Sequence, residues 1–327
     1  MNIDFLIILF VILNSILVFY FNTLKSIIQI LDHPNKRKLH KKPVPLLGGP
    51  ILFINFSILF LLAKLQFIDL NLPININLFY LFCSLIFVLG ILDDILSISP
   101  NNKLFMFIII LTLYCNFEQS VIIQNVSLSF QNTDINLGKF SLVFTIICFI
   151  AFINAFNMFD GINLQSSTYS IFLSANLYFA DKNILFIVLI IFLIFFSYLN
   201  LKEKSFLGNS GSYLLPFIFS VIFITYHNNI NYNADLIFVL MSIPGLELIR
   251  LTFQRILKGN HPFLPDRSHV HHIMIKKLSF NLSIILLNAL IYLQLLFYLI
   301  FEKSIFSIFL GVLTYAVAIL FLNKIKK

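Results

Sequence analysis

The run Ile184-Leu-Phe-Ile-Val-Leu-Ile-Ile-Phe-Leu-Ile-Phe-Phe-Ser-Tyr-Leu199 decides the fold class. It holds no charge. With its polar ends counted it approaches the ~20 residues that a helix needs to cross the hydrocarbon core of a bilayer. Ten more apolar runs lie outward from it, at about 3–31, 48–66, 76–92, 103–117, 139–156, 164–180, 210–227, 234–256, 279–300 and 304–323. The whole chain of 327 residues is 59% hydrophobic and only 11% charged. A water-soluble domain carries about 25% charged residues, so there are too few here to cover a water-facing surface. These runs predict an all-α polytopic membrane protein of about eleven transmembrane helices, with one membrane domain over 1–327. The first run has no basic leader and no small-residue cleavage site, and it starts with Asp4. It therefore reads as a span rather than a signal peptide. Cys83, Cys115 and Cys148 lie far apart in apolar runs and read as packing residues.

Eleven crossings put the termini on opposite sides, and the loops then sort the charge. Seventeen Lys and Arg fall on one side and four on the other, with Lys25 inside the first run. The positive-inside rule makes the basic side cytoplasmic, with the N-terminus outside and the C-terminus inside. The one sizeable outside loop is about 118–138. In it Val126, Leu128 and Phe130 alternate with Ser127 and Ser129, which predicts a short β-hairpin.

The polar residues gather on the cytoplasmic side, in loops at about 32–47, 93–103, 154–164, 200–210 and 257–278. Six of the seven histidines fall there, with Asp32, Asp93, Asp94, Asp160, Glu203 and Asp266. Ionisable residues at span ends are functional candidates. The first cluster runs from Asp32 through Lys38 and His40 to Pro45, Gly48 and Gly49. Its five basic residues within seven positions suit phosphates or lipid head groups, and its prolines and glycines specify a shaped loop. The second is Gly90-Ile-Leu-Asp93-Asp94. Adjacent carboxylates at the end of an apolar run are costly without a positive partner, and Mg²⁺ is commonly held by one or two carboxylates plus substrate phosphates. The third, Asn154-Ala-Phe-Asn157-Met-Phe-Asp160-Gly161-Ile-Asn163, places amides and a carboxylate three residues apart on one helix face. The fourth is Gly208-Asn209-Ser-Gly-Ser212, small residues that suit an anion at a helix N-terminus or a simple capping turn. The fifth holds Asp266, Arg267, His269, His271 and His272. Three imidazoles in four positions invite zinc, but no cysteine is near, and positions i, i+2 and i+3 do not face one point on a helix. Donation to phosphate or sugar oxygens is the better use.

In this order and on one side, the five clusters resemble the polyprenyl-phosphate N-acetylhexosamine-1-phosphate transferase family. Within it, Pro265-Asp266-Arg267-Ser-His269-Val-His271-His272 is similar to the branch that starts O-antigen, enterobacterial common antigen or teichoic acid synthesis. The peptidoglycan branch, which transfers phospho-MurNAc-pentapeptide, has a compact triple histidine followed by an acid. Here Ile273 and Met274 follow.

The resemblance implies an enzyme of the bacterial inner membrane with its active site facing the cytoplasm. It implies transfer of an N-acetylhexosamine-1-phosphate, from UDP-N-acetylglucosamine or a close relative, to polyprenyl phosphate with release of UMP. Catalysis and Mg²⁺ binding, with Mn²⁺ as a substitute, would fall to Asp93, Asp94 and Asp160, with Asn209 as a further ligand. Asn154, Asn157, Asn163, Arg267, His269, His271 and His272 would bind the nucleotide sugar, and Lys38 and His40 the lipid phosphate. No nucleic acid partner is implied, and a homodimer is admitted.

Two departures stand out. The family often has Asp where Asn163 stands. It also has Asp where Asn209 stands, so this position offers a neutral carbonyl to the cation. Either the other carboxylates hold the ion, or activity is impaired. The rival of another class is a transporter, or a membrane protein without chemistry. A transporter would place ionisable residues at the bilayer midplane on repeated, broken helices. No repeat is present, and Glu247, a turn before Arg250, is the nearest exception to the rule that charges sit at span ends.

Overall fold

The computed structural model describes residues 3–34, 40–230, 232–259, 268–301 and 304–324, and each of the eleven apolar runs in it is helical. The first run forms α1 (Ile3–Phe19) and α2 (Phe21–Ile27), bent by 67° at Tyr20. Then come α3 (Gly48–Lys64), α4 (Ile76–Leu96), α5 (Pro100–Phe117), α6 (Ser141–Phe159), α7 (Gln165–Asp181), α8 (Ile184–Leu201), α9 (Gly208–Ile230) and α10 (Ala234–Leu257). A short α11 (Val270–Lys277) precedes α12 (Phe280–Phe301) and α13 (Ser304–Lys324). Among the described residues seven helices are long and apolar enough to cross a membrane, or eight if the bent pair is one span. The others fall short for visible reasons. α3 is apolar but has 17 residues, α5 opens on Pro100-Asn-Asn-Lys103, and α7 carries Gln165, Ser166, Ser167, Ser170 and Ser174. The protein is an all-α polytopic membrane protein.

The chain divides into two compact units. The first comprises Met1–Ile98 and Ser166–Ile218. In it α8 packs on α1 and α3, and α3 packs on α4. Between α1 and α3 the buried amides of Asn14 and Asn55 exchange hydrogen bonds of 2.7 and 3.1 Å. Each also donates to the carbonyl one turn back on its own helix, so neither amide goes unsatisfied in apolar surroundings. The prolines and glycines after His40 do shape a ribbon: β1 (Leu31–Asp32) pairs antiparallel with β2 (Val44–Pro45), Asp32 opposite Val44. The strand continues into the segment before α9, for Phe206 N–H donates to the Pro45 carbonyl and Gly48 and Gly49 N–H donate to Phe206 and Leu207.

The second unit comprises Ser99–Gln165 and Phe219–Lys327. Here α10 is central, packed on α6, α12 and α13, with α11 on α12 and α13. The hairpin predicted for 118–138 is present as β3 (Asn125–Val126) and β4 (Ile135–Asn136). Its strand is shorter than the alternation through Phe130 predicts. Ser127 gives its carbonyl to Ala234 N–H, and Ser129 gives its N–H and hydroxyl to the buried Asp235 carboxylate at the start of α10. Those backbone groups bind a helix end instead of a strand neighbour. His227 adds to the clasp, with one ring nitrogen 2.9 Å from the Tyr232 carbonyl and the other 2.9 Å from the Asn125 carbonyl.

A double-mutant cycle of Asn14→Ala and Asn55→Ala, read by unfolding in detergent, should give a coupling of about 0.6 kcal/mol. Each single variant should be less stable than wild type, and strict additivity would show that the amide pair contributes nothing.

Candidate active site

In the first unit the site is built where α4 ends and α9 begins. Asp93 and Asp94 lie in the last turn of α4. Asp94 accepts from the backbone N–H groups of Asn209 and Ser210, at 2.8 and 3.1 Å. These donors have no partner within their own helix, and a carboxylate there also meets the positive end of the helix dipole. Asp94 thus caps α9 from 115 residues away. Asp93 is buried. One of its oxygens accepts from Ile98 N–H at 2.8 Å and the other from the Tyr213 hydroxyl at 2.7 Å. Gly90 makes this approach possible, because a Cβ there would stand 2.3 Å from Ser210 Cα, closer than atoms can come. Asp93, Asp94 and Asn209 are therefore brought together. His40 belongs to the same unit: its Nε2 lies 3.6 Å from an Asp32 oxygen and its ring stands edge-on to Phe206 at 5.1 Å. That Nε2 is buried and has no hydrogen-bond partner among the described residues. Lys38 lies outside the described residues.

In the second unit Asn154 and Asn157 lie on the last turns of α6, Asp160 is its C-cap, and Asn163 lies in the turn before α7. Asn154 donates its side-chain amide to the Ile150 carbonyl at 2.8 Å, which leaves its oxygen as the group on offer. Next to Asp160, Gly161 meets the histidine cluster: a Cβ on it would fall 2.0 Å from His271 Nε2. The third and fifth sequence clusters are thus in contact through a glycine and an imidazole.

The histidines depart from the sequence-based expectation. They do converge, with ring centroids 5.1 Å apart for His269 and His271, 5.9 Å for His269 and His272, and 4.4 Å for His271 and His272. The helical spacing rule fails because His269 is not on a helix. It is the N-cap of α11, with φ −61° and ψ 145°, and its ring stacks over His271. Among the described residues no three His, Cys, Asp or Glu side chains group as metal ligands, the histidines and the carboxylates alike. Burial, together with the charges of His269, His272 and Arg250, holds His271 well below the ordinary imidazole range. It is neutral at pH 7. Its Nδ1 has no hydrogen-bond partner among the described residues. Arg267 lies outside them.

Sequence reasoning missed Tyr213, since nothing local links it to a carboxylate 120 residues earlier. It also gave Glu247, noted only as an exception a turn before Arg250, no role, although a lone acid within an apolar run was a usable signal.

Residues 76–227 match glycosyl transferase family 4. The chain is similar to an undecaprenyl-phosphate alpha-N-acetylglucosaminyl 1-phosphate transferase of Thermotoga maritima, 27% identical over 81% of this chain and 81% of the relative. A protein of the same name from Yersinia pestis is 29% identical over 76% of this chain and 70% of its own. One from Escherichia coli K12 is 25% identical over 80% and 74%. The matched stretch holds Asp93, Asp94, Asp160 and Asn209. The resemblance drawn from the motifs is borne out.

Two glycine substitutions should separate architecture from chemistry. Gly90→Ala drives a methyl into the Ser210 backbone and should cost about 1–3 kcal/mol of stability. At Gly161 the three atoms nearest an added Cβ all belong to the His271 ring and none to backbone. Gly161→Ala should leave the thermal midpoint within a few degrees while turnover falls about tenfold or more. Equal turnover in Gly161→Ala and wild type would detach His271 from the site.

Proposed function

We propose that this enzyme transfers N-acetylglucosamine-1-phosphate, or a close hexosamine relative, from a UDP-sugar to polyprenyl phosphate, undecaprenyl phosphate in particular. The observation that carries this reading is the paired construction at helix ends: Asp93 and Asp94 against the start of α9, and Gly161 against His271. The names of the three relatives agree with it.

A phosphate oxygen of the lipid attacks the sugar-bearing phosphorus. The bond from that phosphorus to the bridging oxygen of the diphosphate breaks, and UMP leaves with that oxygen. Such chemistry rests on positioning and on charge neutralisation. Magnesium, when bound, would supply charge neutralisation at the phosphates. The donor set fits it: Asp93 and Asp94 supply carboxylate oxygens held in place by N–H and O–H donors, and a hard cation takes oxygen ligands. Asn209 would add a neutral carbonyl, and the motif resemblance adds Asp160. A phosphate monoester has its second pKa near 6 and needs no strong base at pH 7, so Asp93 and Asp94 orient it. His269, His271, His272 and Arg267 would hold the diphosphate and sugar. Asn154, Asn157 and Asn163 would hold the uracil or sugar, and Lys38 and His40 the lipid phosphate.

An apolar cavity of about 370 Å³ in the second unit supports a lipid substrate. It is lined by Phe144, Cys148, Phe152, Phe223, Phe238 and Leu248, among others, from α6, α9 and α10. The lopsided distribution of Lys and Arg supports eleven crossings, an outside N-terminus, a cytoplasmic C-terminus and a site on the cytoplasmic face of the inner membrane. The residues Ile273-Met274 after the last histidine, in place of an acid, favour the polysaccharide branch over the peptidoglycan branch.

The direct test incubates purified protein with a panel of UDP-N-acetylhexosamines, polyprenyl phosphate and Mg²⁺, and measures UMP and lipid-linked sugar. Both should appear with UDP-N-acetylglucosamine and vanish with EDTA. Lipid-linked sugar without UMP, or neither product, would refute the reaction. In the same assay Asp93→Asn, Asp94→Asn and Asp160→Asn should each lower turnover at least tenfold. Asn209→Asp should lower the Mg²⁺ concentration for half-maximal rate, and an unchanged requirement would remove Asn209 from the metal site.

A further inference from the structure

Glu247 lies in the second half of α10 and is only 1% exposed. Its burial is balanced by an unusual number of donors. Arg250 grips both oxygens, with Nη2 at 2.8 and 3.0 Å and Nε at 3.1 Å. The Tyr315 hydroxyl of α13 donates to one oxygen, and the backbone N–H of Val270 donates to the other at 2.7 Å. Arg250 Nη2 also donates to the Ser268 carbonyl at 2.7 Å. An ordinary i, i+3 pair would account for the Arg250 contact alone. It accounts neither for the burial nor for the partners on α11 and α13.

The geometry converges on one residue. The carbonyl before His269 is held by Arg250, the N–H after it is held by Glu247, and His269 Nδ1 lies 3.8 Å from Glu247 Oε1. One ion pair therefore clamps the backbone on both sides of His269 and caps the first turn of α11. His271 and His272 occupy that turn. Charge-assisted, forked hydrogen bonds fix direction as well as distance.

We propose that Glu247, braced by Arg250 and Tyr315, is a positioning residue that sets the imidazole cluster to receive the nucleotide sugar. The nucleotide-sugar half of this statement rests on the function proposed above, whereas the clamp does not. Glu247→Gln keeps the shape and removes the charge that holds the Arg250 fork. Loosening the clamp weakens donor binding and leaves the lipid phosphate contacts alone.

The test uses the full chain in detergent with ¹³Cε1-labelled histidine, resonances being assigned by single His→Ala variants. In Glu247→Gln the His269 and His271 signals should move, while those of His40 and His227 stay. In the transfer assay its KM for UDP-N-acetylglucosamine should rise about tenfold with KM for polyprenyl phosphate unchanged, and Glu247→Asp should recover part of the loss. If Glu247→Gln does not fold, Tyr315→Phe, which removes one brace and keeps the charge pair, should move the same two signals by less. Unmoved His269 and His271 signals would overturn the clamp, as would shifts spread equally over His40 and His227. An unchanged KM for the donor would overturn its role in binding. A wild-type protein that releases no UMP, with the histidine shifts still confined to His269 and His271, would instead fault the function and leave the clamp standing.

Discussion

The hydrogen bonds from the first two amides of α9 to the Asp94 carboxylate carry the first unit's site. A helix that begins among apolar neighbours must find acceptors for its leading N–H groups, and a carboxylate buried there must find donors. Each requirement meets the other. The close approach at Gly90, the Tyr213 bond to Asp93 and the strand-like seam from Pro45 to Leu207 all sit around that one contact. Three sequence-distant pieces, residues 45–49, 90–98 and 206–213, are brought to one place around it, and each carries a motif.

The second unit solves the same problem with an ion pair. Glu247 and Arg250 would be costly inside α10 on their own, since removing charges from water is repaid only with good geometry and further hydrogen bonds. Those further bonds go to Val270, Ser268 and Tyr315. The outer hairpin repeats the pattern on a smaller scale, with Asp235 taking the N–H and hydroxyl of Ser129. In each case a buried carboxylate is satisfied by donors from another part of the chain and also directs its neighbours. That economy suits a phosphoryl transfer, in which the protein has little covalent chemistry to perform and much charge to arrange.

The composition is consistent with this division. Seventeen basic residues gather in the loops assigned to one side, against six acidic ones. A face that receives a lipid phosphate and a nucleotide diphosphate needs positive charge, and a divalent cation needs a few carboxylates within it. Under the proposed function Asp93 and Asp94 would answer that need while serving as hydrogen-bond acceptors. Asn209 would offer such a cation a neutral carbonyl, and the backbone of that same residue holds Asp94.

The helices were legible in the sequence because burial of apolar side chains and the thickness of a bilayer leave few alternatives for runs of this kind. The five polar stretches were legible too, because ionisable groups beside apolar runs are expensive and stand out. Asp93, Asp94, His269 and His271 could be named on those grounds alone. What each of them touches could not. Tyr213 lies 120 residues from Asp93, Tyr315 lies 68 from Glu247, and neither distance leaves a periodic trace. The spacing rule for the histidines misled because the backbone leaves the helix at His269, a choice made by contacts to α10. Sequence by itself determined which segments form apolar helices and which side chains beside them are too polar to be there without purpose. Tertiary structure alone decided their partners, because a buried donor or acceptor is satisfied by whatever the packing brings to it, however far away along the chain.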